Sequence, residues 1–437
     1  VCADRAPAEA RPADLTVDAC VVGGGPAGSL LAYLLARRGH EVLLVEREET
    51  LQREFRGETV AAASVQTLTR LGFAGRMADS GYLGTDGVTM WMEGRRVFGV
   101  DYRRFPIGVT PIDMPQPAMI GMFVEAAEPH RGFTRLTGTR FTDLVVGRSG
   151  EVVGARLRRR SGETLTVGSR VVVGADGRFS KVRVAAGIAA RVQPMERDFL
   201  QFRVPRPAWW GRQAELVVDR DRHLVVLPTY PDFLRIGTNL PKRGLGELRR
   251  AGFPAFKAGI TGMSSRLAPL VDEHLRSWDD TAFLEIFTTE VADWARDGLV
   301  LIGDASHTCT PILGQGVNVA IQDAVCLAPV LSGALRAAPN GAIPATAFAG
   351  FVAERKAHKG KVTRYQRIQE AALAASSPPA VLARRAKYRV LDALPVKYRI
   401  FDGVLNARHR IADEDLPTAG EPVPPGRPVP AATDPRT

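Results

Sequence analysis

Gly23-Gly24-Gly25-Pro26-Ala27-Gly28 forms a G-x-G-x-x-G run between the apolar stretch Leu15 to Val22 and the helix-like stretch Pro26 to Arg38. Glycines at this spacing perform no reaction themselves; they admit a ligand. Gly23 permits a tight turn, Gly25 lets the backbone approach a pyrophosphate, and Gly28 allows close packing of helix on strand. The free N–H groups at the helix start, beside Pro26 and Ala27, then face the phosphates. Glu46 ends a second strand-like run 18 positions past Gly28, the place of a carboxylate that accepts ribose hydroxyls. These residues point to a bound dinucleotide.

Three further segments narrow the ligand, because a nicotinamide dehydrogenase needs nothing like them. They are Arg53-Glu54-Phe55-Arg56-Gly57-Glu58, then Gly174-Ala175-Asp176-Gly177-Arg178, then Gly303-Asp304-Ala305-Ser306-His307 running on through Pro311, Gly314, Gly316 and Asn318. In this order, from Ala19 to roughly Leu335, they resemble the class A flavin monooxygenases, the family that includes p-hydroxybenzoate hydroxylase. The resemblance implies an α/β fold: a Rossmann-like FAD-binding domain of the glutathione reductase and p-hydroxybenzoate hydroxylase type, with an inserted β-rich substrate domain and C-terminal helices.

The resemblance also implies roles for residues. FAD would be held by Gly23, Gly25, Pro26, Ala27, Gly28, Glu46 and the adjoining Arg47, with Arg56 reaching its ribityl and pyrophosphate region and Asp304 its ribityl hydroxyls. Pro311, Gly314, Gln315, Gly316, Val317 and Asn318 would open a helix toward the flavin N1 and O2, where N–H groups and the helix dipole stabilise negative charge. Asp176 and Gly177 resemble a second fingerprint between the flavin and the path of the nicotinamide cofactor. Gln116, in Met114-Pro115-Gln116-Pro117, stands where many relatives carry Arg; an amide can still hydrogen-bond phosphate or ribose.

The activity implied is an FAD-dependent monooxygenase. NADPH or NADH reduces the flavin, O2 adds to give a C4a-hydroperoxide, and one oxygen goes to an aromatic or polyketide-like small molecule by hydroxylation or epoxidation, as in secondary metabolism and antibiotic biosynthesis. Water must be kept from such a site, which suits a β-rich lid over an apolar pocket. Three alternatives share the fold: a flavin-dependent reductase of isoprenoid-type double bonds, a flavin-dependent halogenase, and a non-catalytic FAD-binding protein. The halogenase lacks its marks here, since no Trp-x-Trp-x-Ile-Pro segment occurs and no lysine lies between Gly28 and Lys181.

Each residue also has an ordinary explanation. Asp304 could cap a helix, Asp176-Gly177 could be a plain β-turn, and His307 is expected to make a structural hydrogen bond and not to act as acid or base. Cys309, with no neighbouring base visible, is expected to be a small packed residue. Met90, Trp91, Met92, Trp209, Trp210 and Tyr230 are candidates to line an apolar substrate cavity, though at strand spacing they equally suit a core. The sequence assigns no catalytic acid or base.

The elements that must position these groups follow from periodicity. Leu15 to Val22, Pro26 to Arg38 and Glu41 to Glu46 make a βαβ opening, and Ala61 to Leu71 and Ala118 to Ala127 have helical spacing. Arg140 to Val146, Val152 to Arg159, Glu163 to Val167 and Val171 to Gly174 are expected as a four-strand meander. Strands are expected over 199–240 and 281–289, helical spacing over 245–275, a buried strand over 299–302, and long helices from Gly314 onward. The domain division expected is 15–80, 106–190 and 291–335 for FAD, 81–105 and 191–290 for substrate, and 336–415 for C-terminal helices. Disordered ends are expected over 1–14 and the Pro-rich 416–437.

Composition bounds the rest. With 437 residues, 45% apolar and 24% charged, the chain has globular usage and length for two or three domains. The net charge of +11 comes mainly from Arg; its densest run, Arg156 to Arg160, alternates onto one solvated strand face without interleaved aromatics, so nucleic acid is not expected. No membrane span is expected; peripheral contact through Arg364, Arg367, Arg384, Arg385, Arg389 and Arg399 is the lesser alternative to solvated helix faces. Cys2, Cys20, Cys309 and Cys326 show no C-x-x-C pair and no His at metal-ligand spacing, so no metal is expected. The polar N-terminus lacks a secretory pattern, which favours the cytoplasm.

Overall fold

The computed structural model describes residues 13–50, 58–407 and 409–417. Its first sheet has eight strands. Five run parallel in the order Leu299–Leu301, Thr164–Gly174, Leu15–Val22, Val42–Val45 and Phe133–Leu136. Where both faces are covered the parallel strands are apolar, as at 19–22, Val42–Val45, 171–173 and Leu299–Leu301. Helix Pro26–Arg37 is buried from Ala27 to Ala36, wedged between helices Gln116–Ala127 and Gln315–Ala337. Its leucines, Leu30, Leu31, Leu34 and Leu35, are fully enclosed; burial of each side chain stabilises by about 1.5–3 kcal/mol. That packing fixes where the helix begins, and hence where its free N–H groups point.

The second sheet has seven strands, in the order Thr281–Leu284, Arg197–Pro205, Phe233–Pro241, Arg222–Thr229, Gln213–Asp219, Gly87–Met92 and Arg95–Asp101. All pairings are antiparallel except Gln213–Asp219 with Gly87–Met92. Alternation sends Leu200, Phe202, Val204, Val226 and Ile236 to a core shared with helices Phe253–Met263 and Ala268–His274. The opposite face carries Phe199, Gln201, Arg203, Leu227 and Arg235, with Met90, Met92 and Phe98 packing on Leu373, Tyr388, Tyr398 and Phe401 of the C-terminal helices.

Several expectations need correction. The two meander strands Glu163 to Val167 and Val171 to Gly174 are one strand, Thr164–Gly174. Its first half pairs antiparallel with Val152–Arg159 and its second half parallel with Leu15–Val22, so the polar Gly168 to Arg170 marks a change of partner and not a turn. Helix Gln315–Ala337 is long and apolar enough to cross a membrane by composition, yet 72% of its most apolar window is buried inside this fold, as a core helix would be. Leu416 packs on the main core, and Asp415 is fully buried against Arg38 at 2.8 Å. The disorder expected for 1–12 and 418–437 lies outside the described residues.

Candidate functional site

The fingerprint glycines are there for steric reasons the structure makes explicit. Gly23 has φ +111°, and a Cβ on it would lie 2.3 Å from the Ala175 carbonyl oxygen; a Cβ on Gly28 would lie 2.0 Å from the Gly23 carbonyl oxygen. Gly25 precedes helix Pro26–Arg37 with no side chain bonded to the helix start and no acidic residue in its first turn, so the N–H groups there are open to an anion. Glu46 is buried; its Oε2 accepts from Gly24 N–H at 2.8 Å and its Oε1 from Glu48 N–H at 3.0 Å. Arg47 extends to the surface and pairs with Glu48 at 2.9 Å.

The Gly23 to Gly28 fingerprint, the Asp176-Gly177 segment and the Gly303-Asp304 segment converge. Ala175 abuts Gly23, while a Cβ on Gly303 would lie 3.3 Å from the Ala27 Cβ. The Arg183 guanidinium donates to the Ala305 carbonyl at 2.8 Å, and Arg178 stands 3.8 Å from the Asp304 carboxylate. Asp304 is half-buried, and Ile302, not Asp304, precedes the short turn Gly303–Ala305. Asp176 accepts from Ser180 Oγ at 2.5 Å, Lys181 N–H at 2.7 Å and Val182 N–H at 3.1 Å, fastening the start of helix Lys181–Ala185, while Gly177 takes φ +87°. Gln116 is buried at the first position of its helix. Arg56 lies outside the described residues.

The start of the long helix is a second open N-terminus. Leu313 and Gly314 take φ +65° and +60°, which turns the chain from exposed Pro311 into Gln315 with no side-chain cap. Asn318 locks this turn to the neighbouring strand: its Oδ1 accepts from Ala61 N–H at 2.8 Å and its Nδ2 donates to the Gly314 carbonyl at 2.9 Å. Gln315 and Val317 are buried, and a Cβ on Gly316 would meet no atom within 4 Å. Glycines that only a close neighbour can explain, two uncapped helix starts and a buried ribose-type carboxylate together fit FAD.

Asp323, absent from the expectations, organises the Gly-Asp segment from below. It accepts from Gly303 N–H at 2.8 Å, His307 Nε2 at 3.2 Å and Arg355 Nε at 2.6 Å, all buried. Burial opposes its charge, but Arg355 and His307 hold its carboxyl well below the usual range; burial likewise opposes a charged His307, and Asp323 overrides it and raises the imidazole. His307 is thus held protonated inside the fold and can take up no proton there. The ring nitrogen near Cys309 is His307 Nδ1 at 4.0 Å, and on a protonated ring it offers the thiol no base. An acid inside an apolar helix run was the available signal for Asp323.

Between this helix start and the second sheet lies a cavity that opens to solvent. Its walls are Tyr102, Phe105, Ala214, Leu227, Pro228, Leu313 and Leu405, with Thr59, Asp113, Gln315 and Asn406 as polar points. None of the six expected lining residues is among them. Met90 and Met92 are core under the C-terminal helices, Trp91 and Trp210 pack on the other face of the sheet, Trp209 is exposed beneath Arg266, and Tyr230 abuts Gly81. Beside the cavity Arg203 and Arg235 stand directly opposite on neighbouring strands, and Glu58 bridges them at 2.5 and 2.7 Å. Two like charges at such a pair repel; the buried carboxylate between them removes that cost.

The fold also brings Cys326, Glu354 and His409 to within 4.8 Å of one another. His409 Nε2 accepts from Arg355 at 3.2 Å while Nδ1 donates to Glu354 at 3.3 Å. With both ring nitrogens engaged in this way the group is a hydrogen-bond chain.

Residues 16–232 and 271–364 match the protein family described as FAD binding domain. The chain is 38% identical to 6-methylpretetramide 4-monooxygenase of Streptomyces rimosus, over 74% of this chain and 78% of that protein. It is 29% identical to kynurenine 3-monooxygenase of Salinispora arenicola, over 77% and 76%. Among solved structures, PqsL of Pseudomonas aeruginosa superposes with a TM-score of 0.74 at 23% identity, covering 86% of this chain and 99% of that one. The p-nitrophenol 4-monooxygenase PnpA of Pseudomonas putida gives 0.75 at 17%, covering 91% and 100%.

Proposed function

Since this chain belongs to the FAD binding domain family and is an FAD-dependent monooxygenase, we propose that it inserts one atom of O2 into an aromatic, polyketide-type small molecule with electrons from NADPH or NADH. The observation that carries the substrate side is the cavity, apolar on most of its walls and bounded by Leu313 and Gln315 at the very turn that would meet the flavin ring. Bound FAD supplies the redox chemistry that activates O2.

The chain's own groups bind, orient and shield. The N–H groups after Gly25 and the glycines around them take the pyrophosphate, Glu46 takes the ribose, and Asp304, held between Arg178 and the Arg183-anchored loop, takes the ribityl hydroxyls. The helix starting at Gln315 places its positive end where reduced flavin is negative. Tyr102, Phe105, Leu227, Pro228 and Leu405 keep water from the reacting face and stack or pack on a planar substrate. The family resemblance implies that the nicotinamide cofactor binds in the cleft and leaves, and the sequence, with a single G-x-G-x-x-G after a strand, is consistent with this.

The test is anaerobic stopped-flow reduction of the FAD-loaded protein by NADPH and by NADH, with and without a panel of phenolic polycycles, followed by oxygen and mass analysis of the product. Substrate-stimulated bleaching and a product heavier by one oxygen atom are expected. Bleaching without an oxygenated product would favour a reductase.

A further inference from the structure

Asp113 is 2% exposed and forms part of the cavity wall, and its Oδ2 has no hydrogen-bond partner among the described residues. Its other oxygen accepts from the Tyr230 backbone N–H at 3.2 Å. A buried carboxylate oxygen left unbonded is costly, so its place needs a reason. The position is enforced: Asp113 is fixed opposite Thr59 in a short antiparallel bridge, the strand that Asn318 also ties to the flavin-side turn.

The cations around it do not offer themselves to a substrate. Arg235 stands 3.8 Å from Asp113 Oδ2 and Arg203 sits beside it, but both are bonded to Glu58. The other titratable group on the described wall, Tyr102, is half-buried and desolvation pushes its phenol up to about 12, so it stays neutral. Among the titratable groups of the described wall, the one that can carry charge near neutral pH is therefore an acceptor, which suits a hydroxyl and repels a carboxylate.

Resting on the monooxygenase reading, we propose that Asp113 Oδ2 is the proton acceptor for a phenolic or enolic hydroxyl of the substrate, with Arg235, fixed by Glu58, as its positioning residue. The substrate O–H bond breaks, its electron pair stays on oxygen and enriches the ring, and the proton goes to Oδ2. One negative charge moves from the aspartate to the substrate and none is created, so the transfer suits a buried site. Burial raises the Asp113 carboxyl to about 6, against the pull of Arg235 and with Glu58 adding to the rise. That is a far better base than an ordinary aspartate, and it still accepts a proton at neutral pH. The proposal also states specificity: the substrate reaches this end of the cavity as an uncharged hydroxyl compound and carries no carboxylate there.

The experiment uses FAD-loaded protein without nicotinamide and 1,2-dihydroxyanthraquinone as probe, whose ionised form absorbs at longer wavelength. Wild type is expected to bind it as the phenolate above pH ~6 and about tenfold more weakly below, where Asp113 is protonated. Asp113→Asn, retaining FAD, is expected to bind the neutral phenol with a flat pH profile. Asp113→Ala is expected to regain the ionised spectrum when formate is added. Equal ionisation and equal pH profiles in wild type and Asp113→Asn, or wild type binding only the neutral probe, would overturn the proposal. Turnover with NADPH and O2 is run in parallel: missing oxygenated product with the spectral contrast intact defeats the monooxygenase reading alone.

Discussion

The Arg183 guanidinium donates to the Ala305 carbonyl at 2.8 Å, across 122 positions of chain. This bond joins the segment behind Asp176-Gly177 to the segment bearing Asp304, so the two motifs form one wall. Arg183→Met keeps the stem packed but drops the bond. FAD affinity is expected to fall about tenfold, the worth of one charge-assisted hydrogen bond. Flavin titration of the apoprotein measures it; an unchanged Kd would mean that Asp304 needs no such support.

Gly28 and Gly316 are both fingerprint glycines with opposite steric settings. Gly28→Ala places a Cβ 2.0 Å from a backbone oxygen, so stability should fall along with flavin retention. Gly316→Ala meets no atom of this chain within 4 Å. Its melting temperature without FAD should match wild type while FAD binding weakens. Differential scanning with and without FAD separates the two, and a Gly316→Ala protein with full affinity would move the flavin away from that helix start.

Glu46→Ala removes the acceptor of a buried N–H group at Gly24 and of a partly buried one at Glu48. Loss of flavin should be accompanied by destabilisation of about 1–3 kcal/mol even in the apoprotein, because the Gly24 donor is left unsatisfied. Urea unfolding of the two apoproteins checks this.

Asp323, His307 and Arg355 give the fold a pH window. Asp323 is depressed, so its contribution is complete above its unfolded pKa of about 4 and is lost as pH falls through the lower folded value. His307 is raised, so its contribution is complete below about 6.5 and is lost as pH rises through the folded value. Stability should peak between the two. His307→Gln should keep FAD and flatten the alkaline side, whereas Asp323→Asn, which strands buried Arg355, should cost about 3–5 kcal/mol. Denaturation across pH tests both; complete loss of turnover in His307→Gln with flavin bound would make that residue more than structural.

Much of the cofactor cradle was legible because its logic is local. A glycine's steric setting, the strand before it and the helix after it lie within a few residues of sequence, and Gly23 to Glu46 form one βαβ unit. The cavity beside the second sheet was not legible. Glu58 meets Arg203 and Arg235 across 145 and 177 positions, and only strand register reveals that those arginines oppose each other. Alternation told which residues of Val88 to Met92 share a face but not what covers it; C-terminal helices took Met90 and Met92 as core. The same blindness to partners split Thr164–Gly174 in two.

Leu405 and Asn406 form part of the cavity wall, and Asn406 Oδ1 accepts from Ala63 N–H at 3.2 Å. A chain emerging from the ribosome has therefore already spelled out Gly23 to Gly28, Glu46 and Asp304 before two of the residues that wall the cavity exist, so the cavity is complete only once the last long helix has been made and has packed.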